Sequence, residues 1–513
     1  MSLFSMPLWK KKKAIALTIW CITLLGLGTG NLINPNLWFD EALHLWASRG
    51  QYHYANYETV QPNTLKTVLD ANYTNTWDPP GFTLLLNLLG RITGQLWIFR
   101  GLTFLFLALS CLTLTMLARK WAPQYLLSDI SGLILIASPL LCHYAFEIRP
   151  YSMELFHAIL AVYLVCCCEA SWSRKKCLFF GLLLAFTMAS RYPSVFPAAL
   201  CATFIAFKFF YQPDNPNLFV LDKVKLTRYL FLFVPSFLVG IAIVVLMTGN
   251  QWQVANRSDA YHLVFLIYSN PSEVFNRFTA LLWLPMIILL VMRFLPSKII
   301  SELTRKYDLF IGFVLALNIL RILLDLGHFI PYSLVFRFNL PCHALLVFAW
   351  VPLLLLFFEY CSLQPNQGAG RLLPSMILVL MVLGILFHSF VFTREDPDPS
   401  ISYLKKLPID PPPKILAVTS IYPALRYSFE YGSLRDRPHW RDHIYFYGEQ
   451  YPKHPGWVVQ EKFAFIAPES GLNEVYYQLA QHQHFNLILE SKIYLQGGKS
   501  KRYGLSTVIV KLD

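Results

Sequence analysis

The sequence predicts an α-helical polytopic membrane protein followed by a smaller polar α/β domain. Three observations carry this. Hydrophobic residues make up 55% of the 513 and charged ones only 14%, against roughly a quarter charged in an ordinary soluble domain. Apolar runs close to the length of a bilayer crossing, about 20 residues, recur from Ala14 to Phe392. Beyond Phe392 they stop, and Asp396-Pro397-Asp398-Pro399 and Pro411-Pro412-Pro413 read as a linker. This composition excludes a disordered chain and argues against a purely soluble enzyme. The net charge of +13 would suit nucleic acid or an anionic membrane. The apolar content selects the membrane, and no nucleic-acid partner is expected. Ten cysteines are present, mostly within apolar runs, and none lies beyond Cys361. The polar tail therefore has no disulfide framework.

The first span runs from Ala14 to about Ile33, with Lys10 to Lys13 before it. It is long for a signal peptide, and Asn34-Pro35-Asn36 is a poor cleavage site, so an uncleaved helix with a cytoplasmic N-terminus is expected. Further runs follow at 98–118, 127–143, 152–168, 177–190, 194–211, 229–248, 279–295, 308–326, 333–358 and 372–392, about eleven spans in all. The stretch Pro79 to Gly94 is apolar but short, and Asn87 and Arg91 interrupt it. Reading it as an interfacial helix puts Arg119-Lys120, Arg174-Lys175-Lys176, Arg305-Lys306 and Arg371 on the inside, as the positive-inside rule asks. The outer loops then hold Asp40, Glu41, Glu58, Asp70, Asp78, Glu147, Asp259 and Glu273. Acidic residues gathered on one side hint at a site there.

The chain is expected to divide into a membrane domain, 1–393, and an extracytoplasmic domain, 394–513. In the tail, Lys414 to Ser420, Phe463 to Ala467, Phe485 to Glu490 and Ser506 to Leu512 read as strands. Tyr422 to Tyr431 and Gly471 to Gln481 read as helices. There is no phosphate loop and no metal-ligand spacing in it.

Four features carry chemistry. In Asn36 to Ser48, adjacent Asp40 and Glu41 lie among Trp38, Phe39, Leu43, Leu45 and Trp46, with Phe39, Leu43 and Trp46 on one helical face. A carboxylate partly out of water is more basic, which suits a general base for an alcohol acceptor; an amphipathic helix with an acidic first turn would look the same. Trp77-Asp78-Pro79-Pro80-Gly81 opens the interfacial helix, with Asp78 as N-cap and Pro79 at the first helical position. Ser138-Pro139 to His143, then Glu147-Ile148-Arg149-Pro150-Tyr151, forms the next outer junction, with Glu154 one turn on. Ionisable groups at that depth are expensive and usually functional, although an ion pair closing a short loop is the plainer account. Arg149, Arg191, Arg321 and Arg337 lie near outer helix ends. A guanidinium there can grip a phosphate with its planar fork or snorkel to headgroups, and Arg321 can pair with Asp325 at i, i+4.

Together these segments resemble the GT-C superfamily of polytopic glycosyltransferases, most nearly the branch of protein O-mannosyltransferases and lipid A aminoarabinose transferases. The matching residues are Asp40-Glu41 after the first helix, Asp78-Pro79-Pro80 opening an interfacial helix, and Ser138-Pro139 with Glu147-Ile148-Arg149-Pro150-Tyr151. Phe336-Arg337-Phe338-Asn339 matches a late helix start loosely. One departure is Asp78, where many relatives have His or Lys. The resemblance implies a membrane glycosyltransferase with a polyprenyl-phosphate sugar as donor, a hydroxyl on lipid, glycan or protein as acceptor, and inversion at the anomeric carbon. Asp40 and Glu41 would be catalytic. Arg149, Arg337, Arg191, Glu147, Tyr151, Asp78 and His143 would bind donor phosphate or substrate. A divalent cation could sit among Asp40, Asp78 and Glu147, although the arginines make one unnecessary. A bacterial inner membrane is the expected location. A ligase or polymerase of lipid-linked glycans shares this donor chemistry, and a flippase is the other rival.

Overall fold

The computed structural model describes residues 8–32, 37, 39–51, 62–76, 78–136, 138, 141, 144, 146–211, 220, 222–246, 277–296, 298–326, 340–362, 414–418, 422–430, 434–437, 440, 444–447, 463–468 and 507–512. The expected span 372–392, the helix 471–481, the strand 485–490, and Arg337 and His143 lie outside these residues. The chain divides into two compact units, Met1–Thr29 with Leu102–Phe392 and Gly30–Gly101 with Thr393–Asp513.

The first unit is a set of apolar helices. Among the described residues, four helices are long and apolar enough to cross a bilayer: Leu96–Trp121, Tyr192–Phe210, Lys223–Val245 and Leu340–Tyr360. The protein is an integral membrane protein of α-helical type. Within Leu340–Tyr360, 72% of the apolar stretch is buried against 22% in Lys223–Val245, so the former is packed among other helices and the latter leaves most of its apolar surface uncovered. Helices also occupy the expected runs at Leu8–Asn31, Tyr151–Cys167, Arg174–Met188, Arg277–Phe294 and Asp308–Leu326. Without a hydrophobic driving force between helices in lipid, close approach depends on small residues. Gly181 supplies one such approach, since a Cβ there would stand 2.6 Å from the Leu232 carbonyl oxygen. A buried polar contact, His157 Nδ1 to Thr187 Oγ1 at 2.9 Å, ties Tyr151–Cys167 to Arg174–Met188.

One expected span is not a continuous helix. Among the described residues of the expected span 127–143, a five-residue helix, Leu126–Ile130, passes into the 3-10 segment Ser131–Leu135. Ser128, Asp129, Ser131 and Gly132 explain the break. Ser128 and Ser131 donate to the carbonyls of Ala122 and Ser128, side-chain bonds that compete with helical ones. Gly132 donates its N–H to Thr115 Oγ1 at 3.1 Å, and a Cβ there would overlap the Cys111 carbonyl. Asp129 is held by Lys12 at 2.9 Å and Arg119 at 2.6 Å.

The second unit holds the helices Phe39–Ser48, Leu65–Asn75 and Gly81–Gly90, together with the described part of the tail. Gly81–Gly90 is ten residues long, about 15 Å, half a bilayer crossing. The tail forms a four-stranded sheet of β1 (Lys414–Val418), β2 (Ile444–Tyr447), β3 (Phe463–Pro468) and β4 (Thr507–Leu512), in the order β2-β1-β3-β4. β1 runs parallel to β2 and β3, and β4 antiparallel to β3. Parallel neighbours need a crossover, and the helix Tyr422–Glu430 lies in the one from β1 to β2. The strand Ile444–Tyr447 was not expected.

Candidate functional site

In the second unit, the helix Phe39–Ser48 is buried on more than one face. Glu41, Ala42, His44, Leu45, Trp46, Ala47 and Ser48 are all buried. An interfacial helix with a single apolar face, as the sequence suggests, would expose its polar side. Its C-terminus is closed by a Schellman turn. Gly50 adopts φ +71°, its N–H bonds Ala47 O at 2.9 Å, and Gln51 N–H bonds Trp46 O at 3.0 Å. A side chain at Gly50 would be strained by that φ and would also meet Thr67 Oγ1 at 2.6 Å. Asn87 then donates to Ser48 O at 2.6 Å and to Asn63 Oδ1 at 2.8 Å. The polar residue that interrupts the Gly81–Gly90 helix is thus the pin that holds the end of the Phe39 helix.

Burial of Glu41 requires a charge partner, and Arg100 Nη2 lies 3.4 Å from its Oε2, with both side chains fully buried. One turn along the helix, His44 Nε2 stands 3.7 Å from Asp78 Oδ2, an ion-pair distance longer than a hydrogen bond. His44 also meets Phe82 edge-on at 5.9 Å. Asp78 is not the N-cap: the helix starts at Gly81 with Pro80 at the cap position and no side-chain cap bond. Two consecutive prolines move the start on by two residues and leave the Asp78 carboxylate to His44. The Asp78 carbonyl accepts from Asn72 Nδ2 at 2.8 Å, and Asn72 Oδ1 accepts from Thr76 and Thr83. Asn72 heads an Asn-Tyr-Thr sequon, yet it is fully buried, so its amide is a structural brace and no glycan acceptor. Asp40 lies in the first turn of the helix; its side chain lies outside the described residues.

In the first unit, the junction residues gather around Tyr151. Arg149 N–H bonds Glu147 O at 2.6 Å, a tight turn that brings the chain into the helix Tyr151–Cys167. Pro150 occupies its cap position. Tyr151 is fully buried. Its ring lies under two guanidinium groups, Arg149 at 4.6 Å and Arg191 at 4.9 Å, and Tyr144 meets it edge-on at 5.3 Å. Arg191 Nη1 donates to Glu154 Oε2 at 2.7 Å. Glu147 is buried. Ser138 Oγ contacts His343 Nε2 at 3.0 Å. Arg321 is buried, and the side chain of its expected partner Asp325 lies outside the described residues.

The structure therefore brings together Arg149, Tyr151 and Arg191 in one unit, and places Glu41 and Asp78 around the Phe39 helix in the other. Sequence reasoning did not assign Arg100, His44 or Tyr144, and it noted Glu154 as an ionisable group at depth without giving it Arg191 as partner. Arg100 had a signal, a guanidinium inside the apolar run Leu96–Phe106. Among the described residues, no group of three or more His, Cys, Asp or Glu stands close enough to hold a metal, and Glu41 faces a guanidinium, which competes with any cation.

No family model and no curated protein matches the chain. Among solved structures, ArnT from Cupriavidus metallidurans bound to undecaprenyl phosphate aligns with 97% of this chain and 96% of that one, at 12% identity and a TM-score of 0.43. That likeness fixes neither family nor activity.

Proposed function

We propose that the chain is a membrane glycosyltransferase of GT-C type that moves a sugar from a polyprenyl-phosphate donor to a hydroxyl group, on the extracytoplasmic side, with inversion. The observation that carries the reading is the pair of guanidinium groups fixed over the buried Tyr151 ring at the end of a membrane helix. Of the two, Arg191 is buried and Arg149 half-buried, and ionisable groups at membrane depth are expensive and mark functional sites by default. A guanidinium whose plane is fixed by a ring can present its fork to anionic oxygens. The acidic Asp40-Glu41 pair after the first helix and the order of the motifs along the chain support the same reading.

In this mechanism Asp40 accepts the proton of the acceptor hydroxyl, whose oxygen attacks the anomeric carbon. The bond from that carbon to phosphate oxygen breaks, and polyprenyl phosphate leaves with the electron pair. Arg149, Arg191 and Arg337 stabilise its charge. Glu41, paired with Arg100, supports Asp40 or positions the acceptor. Arg119, Lys120 and Arg174 to Lys176 face the cytoplasm, and residues 394–513 lie outside it. A bacterial inner membrane is the proposed location.

The test compares membrane glycolipids and glycoproteins by mass spectrometry in cells with the wild-type gene, without it, and with Asp40→Asn. A hexose or pentose present in the first should vanish in the second. In the third it should fall by about 10²–10⁴-fold at unchanged protein level. Full product from Asp40→Asn would sink the assignment.

A further inference from the structure

The Phe39–Ser48 helix presents two occupied faces. Glu41, His44, Leu45 and Ser48 cluster on one side, and Ala42, Trp46 and Arg49 lie about 100° away. The first side meets Arg100, Asp78 and Phe82. The second is covered by the tail helix Tyr422–Glu430. Arg426, only 1% exposed, stacks its guanidinium over the Trp46 ring at 4.3 Å and is steadied by Glu430 at 3.3 Å. Tyr427, fully buried, meets Trp46 edge-on at 5.9 Å. Arg49 closes the set, its guanidinium 4.8 Å from the Tyr427 ring and its Nη2 3.3 Å from the hydroxyl. On its other side the tail helix is anchored by Phe429, which meets buried Trp440 at 6.4 Å.

A ten-residue helix has little stability of its own, so its rotation about its axis is set by what packs on it. Aliphatic contacts are tolerant of such rotation. A cation over an indole face is not, because the attraction depends on the ring quadrupole. A slip of one residue would carry Glu41 about 100° away from Arg100.

We propose that the tail helix Tyr422–Glu430 is a clamp that sets the rotation of the Phe39–Ser48 helix, with Arg426 and Tyr427 as positioning residues for the Asp40–Glu41 pair. The proposal rests on the reading of Asp40 as the base. It gives the C-terminal domain a task in the reaction without any contact to substrate.

The test uses the full chain in detergent micelles and in cells. Arg426→Met keeps the bulk and removes the charge; Arg426→Lys keeps a cation. Hydrogen exchange by mass spectrometry should show the Phe39–Ser48 amides exchanging about tenfold faster in Arg426→Met. The helices Leu65–Asn75, Gly81–Gly90 and Leu340–Tyr360 should be unchanged. Product measured in cells should fall by about a hundredfold, the cost of a misplacement near 1 Å. Arg426→Lys should recover most of both. Wild-type exchange or wild-type product in Arg426→Met would overturn the clamp, as would acceleration that spreads to the other helices or no recovery in Arg426→Lys. Product surviving in Asp40→Asn would instead overturn the base assignment, while the exchange data still report on the clamp.

Discussion

The two ends of the helix Tyr151–Cys167, about 25 Å apart, hold their charges in opposite ways. Beyond Cys167, Lys120 and Glu169 pair at 3.4 Å with side chains 42% and 57% exposed. Lys120 and Lys208 also donate to the carbonyls of Cys166 and Val165, where cations complement the helix dipole. At Tyr151 the Arg191–Glu154 pair is 6% and 2% exposed. The first arrangement keeps the charges in water and contributes little. The second takes them out of water, where attraction barely offsets desolvation. Charge economy alone would not bury the Arg191–Glu154 pair there, which makes the Tyr151 end the stronger candidate for chemistry.

Three variants would break or sharpen this contrast. Glu154→Ala leaves Arg191 buried without its carboxylate and should cost about 3–5 kcal/mol of stability, read by denaturant titration in micelles. A loss below about 1 kcal/mol would erase the difference between the ends. Tyr151→Leu removes the ring beneath both guanidinium groups and should cost about 1–2 kcal/mol, with a larger loss of product than of stability. Glu169→Gln should change the melting temperature immeasurably. The hydrogen bond from Lys120, aided by its charge, holds the Glu169 carboxyl below the usual carboxylate range. A depressed folded value gives a contribution present above that range and lost as pH falls through it. Melting temperatures of wild type and Glu169→Gln should therefore run parallel between about pH 6 and pH 8.

Much of the helical part is legible because burial in lipid needs only a run of apolar residues, and those runs survive as helices at Tyr151–Cys167, Arg174–Met188 and Asp308–Leu326. Hydropathy does not see side-chain competition. It passes over Ser128 and Ser131, whose hydroxyls take backbone carbonyls, and over Gly132, whose value lies in a neighbour's carbonyl. The strand Ile444–Tyr447 escaped because four residues without turn signals carry almost no period, and its pairing with β1 is non-local. In the candidate site, the depth of Arg149 and Arg191 could be read from their place at helix ends. Their meeting over Tyr151 could not, because it depends on how the whole Tyr151–Cys167 and Arg174–Met188 hairpin between them packs. Asp78 looked like a cap because capping is a local rule, and its partner His44 comes from another helix.

The clamp on Trp46 also has a timetable. Arg49 and Tyr427 meet across 378 residues of chain. At about 5–20 residues per second, synthesis of that stretch takes roughly 20–75 seconds. Through that interval the Trp46 face of the Phe39 helix has no Arg426 to cover it, and the indole must rest on lipid, on a chaperone or on the wrong neighbour. The helix can form early, but its final rotation waits for the tail.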